Sequence, residues 1–494
     1  MNVILVLIDS LNRHNLRYYG DSSILTPNLG VLSRRAWRFD NHFVGSLPCI
    51  PARREIFAGR KEMLWRPWGP LEHYDQKLPK LLEKAGYNTA IVTDHYHYWE
   101  NTVSGYLQSF QSTEMIRGHE ADPWKPPLPE GTLLPRWVQI VEEYRGWEAR
   151  QYYANVRDFK SEEDYFPAKV FTGAAHWLRD HAREKSFFLQ VESYDVHEPW
   201  DVPEPYRAMY GNPDLRHLYN VWPPYHYPDR FQRFMAATTA EELAFIRSQY
   251  AAKLTMVDRW LGELLQAVEE LDLWDDTCII LASDHGHDIG EHGQLGKQYP
   301  HYDTHAQIPM FIWHPQFPGA GQSIDSLTQT VDIHATVLDV LAVSGSNAGH
   351  SHSLLPLIKG ERLEGRNALL YGQFGQGICV TDGDWTLFKS PDKDGPLFQY
   401  STTLYQSLLH KGDLMAPVDQ GFFIPDVEFP QWKIPVSFPL WSRENFLFNR
   451  KDDPEQEHNL WADDPVQRRR MLDLARHLMQ EEGSPPEQYE RLGL

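Results

Sequence analysis

Cys278-Ile279-Ile280-Leu281-Ala282 runs straight into Ser283-Asp284-His285-Gly286-His287-Asp288. A short apolar run that turns polar at its C-terminal end has the pattern of a buried strand in an open α/β sheet, and ligands bind at that edge of such sheets. Three more runs repeat the pattern. Val3–Ile8 ends at Asp9, Thr89-Ala90-Ile91-Val92 ends at Thr93-Asp94-His95, and Phe187-Phe188-Leu189-Gln190-Val191 ends at Glu192-Ser193-Tyr194. Upstream of Cys278, the residues Val257, Trp260, Leu261, Leu264, Leu265, Val268 and Leu271 form one apolar face of helical period. Strands and helices alternate through roughly the first 360 residues, which predicts a mostly parallel central sheet flanked by helices.

After Gly360 the pattern changes. Ala368–Phe374, Gly377–Val380 and Trp385–Lys389 read as short strands, and a helix over Pro465–Glu482 closes the chain. The expectation is an α/β domain over residues 1–365 and a smaller α+β subdomain over 366–494. Gly105–Phe166 and Pro203–Asp229, rich in aromatic, proline and charged residues, read as insertions, either functional lids or surface excursions. Pro391–Leu440 shows no period that places it.

Composition narrows the function. The 494 residues carry 47 Lys+Arg against 68 Asp+Glu, a net charge of −21, which argues against nucleic acid or an anionic membrane surface as partner. A locally positive pocket for an anionic substrate is still compatible with that charge. Three cysteines rule out a disulfide scaffold. Cys278 and Cys379 lie in apolar runs and read as small buried hydrophobes. No apolar run approaches the ~18 residues of a membrane span. The opening Val3–Ile8 run has no positive residue before it, so it does not read as an export signal. A cytoplasmic location is the expectation, although a trimmed chain reads the same.

Two clusters carry chemistry. In Ser46-Leu47-Pro48-Cys49-Ile50-Pro51-Ala52-Arg53-Arg54, a cysteine between two prolines precedes a basic pair, which reads as an irregular, electropositive turn. Such surroundings lower a thiol pKa, so Cys49 is either a reactive thiol or a plain loop cysteine. Ser283–Lys297 gathers three His, two Asp and one Glu with four glycines after a strand. Asp and His at a strand end can ligate a divalent cation together with a carboxylate from a neighbouring strand, such as Asp9. Otherwise the segment is a solvated polar loop.

The first cluster resembles the sulfatase signature Cys-x-Pro-x-Arg, followed after five residues by Gly, with Cys49, Pro51, Arg53 and Gly59 in place and Ala58 where Thr is usual. The second resembles the Asp-His-Gly run of iduronate-sulfatase-like and choline-sulfatase-like enzymes. Asp9, Thr26-Pro27-Asn28-Leu29 and the stretch Phe446–Glu455 extend the likeness. The resemblance implies an alkaline phosphatase-like fold. It also implies that a separate maturation enzyme oxidises Cys49 to formylglycine. One hydroxyl of the aldehyde hydrate attacks sulfur and the alcohol leaves; the second then expels sulfate and restores the aldehyde. The implied metal ligands are Asp9, Cys49 in its modified form, Asp284 and His285. Oxygen-rich ligation favours Ca²⁺, with Mg²⁺ and Mn²⁺ open. Arg53 is implied to hold the nucleophile, Lys297 and His97 to contact the sulfate, and His197 to act as general acid.

Two positions depart from the pattern. Ser10 stands where many sulfatases have a second Asp, and Asp94 stands where most have Lys. Lacking that second Asp resembles phosphonate monoester hydrolases, so phosphonate monoester or phosphodiester hydrolysis is the alternative. His95, His301 and His305 are candidates to make up the missing cation. The substrate is a small-molecule or glycan sulfate ester, with Trp65, Trp68, Trp124 and Trp137 as candidates to stack on its ring.

Overall fold

The computed structural model describes residues 1–20, 22–225, 228–345, 350–361, 365–406, 411–412 and 418–494. Its main sheet has eight strands in the order Ser323–Ile324, Trp37–Phe39, Met310–Trp313, Thr277–Ala282, Asn2–Ile8, Phe187–Ser193, Asn88–Thr93, Ser112–Met115. Asn2–Ile8 is central and pairs in parallel on both sides, with Val6 across from Val191 and Leu281. Met310–Trp313 runs antiparallel to both of its neighbours.

The central strand is apolar throughout because both of its faces are covered. Ile4, Val6 and Ile8 point into one core, while Val3, Leu5 and Leu7 point into a second. The first core is closed by helices Phe166–His181 and Ala240–Glu270. The predicted stripe lies on the latter, with Val257, Leu261, Leu264 and Val268 all in that core. The second core takes Ile50, Ile56 and Phe57 of helix Cys49–Ala58 and Ile333 and Val337 of helix Asp332–Val340. Each such side chain contributes about 1.5–3 kcal/mol by leaving water.

A second sheet runs Phe446–Asn449, Trp385–Lys389, Ile378–Thr381, Leu369–Gln373, Ser46–Leu47. Its last pairing is parallel and sets Gln373 beside Leu47. The C-terminal unit thus takes a strand from the N-terminal half, and that strand leads directly into the Cys49 helix. Helix Pro465–Glu481 covers this sheet through Met471, Ala475 and Met479.

Two stretches hold more structure than their sequence suggests. Gly105–Phe166 contains helices Arg136–Arg145 and Trp147–Val156, which join at Gly146 with a positive φ of 64°. Val138, Val141 and Tyr152 share a small core with Trp222 and Phe245. Within Pro391–Leu440, strands Phe398–Ser401 and Asp419–Gly421 pair with Gln431–Ser437; residues 407–410 and 413–417 lie outside the described residues. Among the described residues, no helix is long and apolar enough to cross a membrane.

Candidate active site

Cys49 is the first residue of the Cys49–Ala58 helix and is 3% exposed. The expected irregular turn is therefore a helix N-terminus, fixed from behind by the Ser46–Leu47 strand. The expectation of a lowered thiol pKa is overturned as well. Burial pushes the Cys49 thiol up and Asp9 adds to the shift, outweighing Lys297 and Arg53. Arg53 lies one turn along the helix and so shares the Cys49 face; its Nη1 donates to the Cys49 carbonyl at 3.0 Å.

Parallel pairing brings the ends of three strands to this helix. Asp9 follows the central strand and Asp284 follows Thr277–Ala282. Glu192 is the next-to-last residue of the strand Phe187–Ser193. Arg53 joins all three: Nη2 to Asp9 at 2.8 Å, Nε to Glu192 at 2.5 Å, and Nη1 to Asp284. All four side chains are fully buried. Ligand atoms of Asp9, Cys49, Asp284 and His285 lie within 4.8 Å of one another.

Hydrogen bonds orient these donors. Asp284 Oδ1 accepts the backbone N–H groups of Ser10 at 3.1 Å and His285 at 2.8 Å, which turns Oδ2 inward. Ser10 has a left-handed φ of 60°, and its Oγ donates to Asp9 Oδ1 at 2.7 Å. Burial holds His285 neutral, lowering its pKa to about 3. Its Nδ1 lies 2.9 Å from the Gly286 carbonyl and donates to it, so the lone pair is on Nε2. That lone pair faces Asp284 Oδ2 at 3.2 Å and Cys49 Sγ at 3.2 Å. Two acceptors so close call for a cation between them, and two carboxylates, a neutral imidazole and position 49 suit a divalent ion. Without one, burial and the Asp284 charge push Asp9 well up.

A cavity of about 350 Å³ opens above Cys49. Lys297 Nζ reaches to 3.6 Å from Cys49 Sγ. His97 and His197 also line the cavity. His197 Nδ1 donates to the Glu198 carbonyl at 2.7 Å, and its Nε2 lies 3.0 Å from Tyr194 Oη and 3.3 Å from Tyr225 Oη. Tyr194 Oη is also 3.1 Å from His97 Nε2, while His97 Nδ1 meets Glu100.

The structure brings Asp9, Cys49, Arg53, Asp284, His285, Lys297, His97 and His197 to one place. It keeps four other candidates away from the cavity. The Asp94 carboxylate accepts the Tyr194 N–H at 2.6 Å. His95 is buried 3.8 Å from Asp9, and His301 and His305 face each other through Nδ1 at 3.0 Å. Burial lowers all three imidazole pKa values, His301 to about 3, so they do not make up for the missing cation. Of the tryptophans singled out from the sequence, Trp68 lines the cavity. Trp65 packs on Tyr400, and Trp137 takes the Arg216 guanidinium on its face.

Several lining residues escaped the sequence reading. Glu120, Arg145, Trp147 and Glu148 come from the first insertion, Trp222 and Tyr225 from the second, and Trp441 from just beyond the stretch without a period. Both insertions are therefore walls of the site. Glu192 carried a usable signal, being a carboxylate at the end of a buried strand; the wall residues carried none beyond aromatic density.

The chain matches the Sulfatase family over residues 1–343. It is 27% identical over 420 residues to the multifunctional alkaline phosphatase superfamily protein PehA of Trinickia caryophylli, covering 75% of this chain and 79% of that one. It is 24% identical over 387 residues to an arylsulfatase of Clostridium perfringens, covering 72% and 78%. Its fold is similar to that of the phosphonate monoester hydrolase of Agrobacterium radiobacter, with a TM-score of 0.68, 20% identity and coverage of 99% and 96%.

Proposed function

Because the chain belongs to the sulfatase family, we propose that it is a metal-dependent sulfuric ester hydrolase whose nucleophile derives from Cys49. One observation supports this above all: the buried convergence of Asp9, Cys49, Asp284 and His285 at the carboxyl edge of the main sheet. A divalent cation held by these four residues would supply Lewis acidity and lower the pKa of the nucleophile. The oxygen-rich set favours Ca²⁺ over Mg²⁺ or Mn²⁺. Formylglycine at position 49, delivered by a maturation enzyme, would supply a nucleophile with its own release step.

The chain's own residues do the rest. Arg53 holds the two acidic ligands and Glu192 on one guanidinium, so the ligands are pre-aimed. Lys297, beside Cys49, anchors the sulfate. His197 is held through Nδ1 on a backbone carbonyl and keeps Nε2 toward the cavity. Burial and the Lys297 charge hold its pKa well below the ordinary imidazole range, so it serves as general acid only after taking up a second proton at Nε2, which is the proton passed to the leaving alcohol. The aromatic walls exclude water and position the ester.

The second reading, a phosphonate monoester or phosphodiester hydrolase, draws on Ser10, which leaves the site one acidic residue short, and on the fold likeness to the phosphonate monoester hydrolase of Agrobacterium radiobacter. Matched aryl sulfate, phenyl phosphonate and phosphodiester substrates separate the two. Sulfate is expected to be the fastest, and sulfate slowest by orders of magnitude would reverse the order of the readings. Peptide mass spectrometry after co-expression with a maturation enzyme is expected to show an aldehyde at position 49. Asp284→Asn is expected to lose the bound metal in elemental analysis, and unchanged metal content removes Asp284 from the ligand set.

A further inference from the structure

The cavity has two ends of opposite character. At the Cys49 end, Lys297 supplies positive charge. Away from it, three carboxylates, Glu100, Glu120 and Glu148, face one guanidinium, Arg145. That guanidinium is already engaged. Its Nη2 donates to the Pro223 carbonyl at 2.7 Å. It lies 3.4 Å from Glu148 and 3.6 Å from Glu198, and it stacks 4.5 Å over the Trp222 ring. Glu100 is met by His97. Glu120 has a hydrogen bond from Tyr96 and His97 Nε2 at 3.7 Å from its Oε2, but among the described residues no guanidinium or ammonium lies within ion-pair distance of it.

Glu120 is 4% exposed and sits at a left-handed φ of 45°, a conformation that costs a non-glycine residue energy and persists only when its surroundings enforce it. Its Oε1 lies 3.2 Å from His197 Nδ1, but that proton goes to the Glu198 carbonyl, and Oε1 receives no hydrogen bond. Burial and the charge of Glu198 work against an ionised Glu120 and outweigh the opposing pull of Arg145 and Lys297, so a charged carboxylate here calls for a further positive partner. Trp68, Tyr96 and Trp147 line the same cavity. Aromatic faces next to a buried carboxylate suit an organic cation.

We infer that the leaving-group end of this cavity selects sulfate esters whose alcohol carries a positive charge, an ammonium on an aryl or short alkyl frame, with Glu120 as its counter-ion. Esters with further anionic groups, such as uronate-bearing or multiply sulfated sugars, are turned away. This rests on the sulfate-ester reading above, because the sulfate must occupy the Lys297 end.

The test uses three phenyl sulfates that differ only at the meta position: trimethylammonium, hydrogen and carboxylate. Binding is measured by calorimetry on the Cys49→Ala protein, which needs no turnover. The ammonium ester is expected to bind about tenfold more tightly than phenyl sulfate, with the carboxylate weakest. Glu120→Gln in the same background is expected to erase the ammonium advantage, read as the ratio of ammonium ester to phenyl sulfate affinity, and an unchanged melting temperature shows that the variant is folded. If that variant does not fold, Glu148→Gln is expected to shrink the same ratio. Equal affinity for all three esters, or a preference for the carboxylate, overturns the inference. Turnover by the matured wild type is read separately. The expected binding order without turnover of any ester overturns the hydrolase reading and leaves the cation site standing.

Discussion

Arg53 and Arg54 are consecutive on one helix, and both are buried in clusters of carboxylates. Arg53 faces Asp9, Asp284 and Glu192 at the strand ends. Arg54 points the other way, to Asp75 at 2.7 Å and to Glu62, with Tyr74 alongside and Arg66 sharing Glu62. Burial works against both charges, and in both clusters the carboxylates outweigh it and raise the arginine pKa. The difference lies in what else each cluster touches. The carboxylates around Arg53 also lie beside a neutral imidazole lone pair and Cys49, which borders the cavity. Glu62 and Asp75 bond Tyr74 and a backbone N–H, so that cluster closes on itself. Buried charge is thus compatible with a reaction centre or with a clamp, and the surrounding atoms decide which.

The largest expected effect separates the two. Arg53→Met keeps the aliphatic stem and removes the guanidinium from Asp9 and Asp284. Turnover of an aryl sulfate is expected to fall about 10²–10³-fold. With metal-replete buffer the ion compensates the two carboxylates, so the melting temperature is expected to shift little; a chelator should widen the gap. Retention of full turnover removes Arg53 from the site.

Next in size, Arg54→Met is expected to cost about 3–5 kcal/mol of unfolding free energy, because it strands Asp75 and Glu62 in the interior. Chemical denaturation measures the loss, and turnover per folded molecule should stay within about twofold of wild type, because the reacting groups lie on a different face of the helix. A loss of turnover to match Arg53→Met breaks the distinction between the two clusters.

The sequence carried much of this and missed the rest for identifiable reasons. The strand ends at Asp9 and Asp284 were legible because a parallel strand buried on both faces reads as an unbroken apolar run that stops at a polar residue. The Cys49 helix was misread as a turn because Pro48 and Pro51 resemble loop chemistry, whereas proline is well tolerated in the first turn of a helix. The signature offset from Cys49 marked Arg53 rather than Arg54, and its physical reason is the helical turn relating Cys49 to Arg53 together with the strand Ser46–Leu47 that sets the helix direction. The walls at Glu120, Arg145 and Trp222 were illegible because they come together only when the two insertions pack around their shared core.

Glu55, the third buried charge in a row on that helix, tests the comparison most finely, because it belongs to neither cluster. Its Oε1 accepts the Ser46 N–H at 2.6 Å, and it lies so close to Gly45 that a Cβ there would come within 2.1 Å of Oε2. The residue therefore pins the strand that sets the helix direction. Burial raises its pKa from the ordinary 4.5 to about 7, against the opposing pull of Ser46 and Lys61. An acid whose folded pKa is raised binds its proton more tightly when folded, so the stability it contributes is full below pH 4.5 and is lost as the pH rises through about 7. Glu55→Gln keeps the shape and the acceptor but cannot ionise. The wild type minus variant difference in unfolding free energy is expected to decline by roughly 1–3 kcal/mol between pH 5 and pH 8. Parallel pH curves for the two proteins mean that Glu55 is already ionised in the fold, with Lys61 as its partner, and the helix start is then held by a charge pair like that of Arg54.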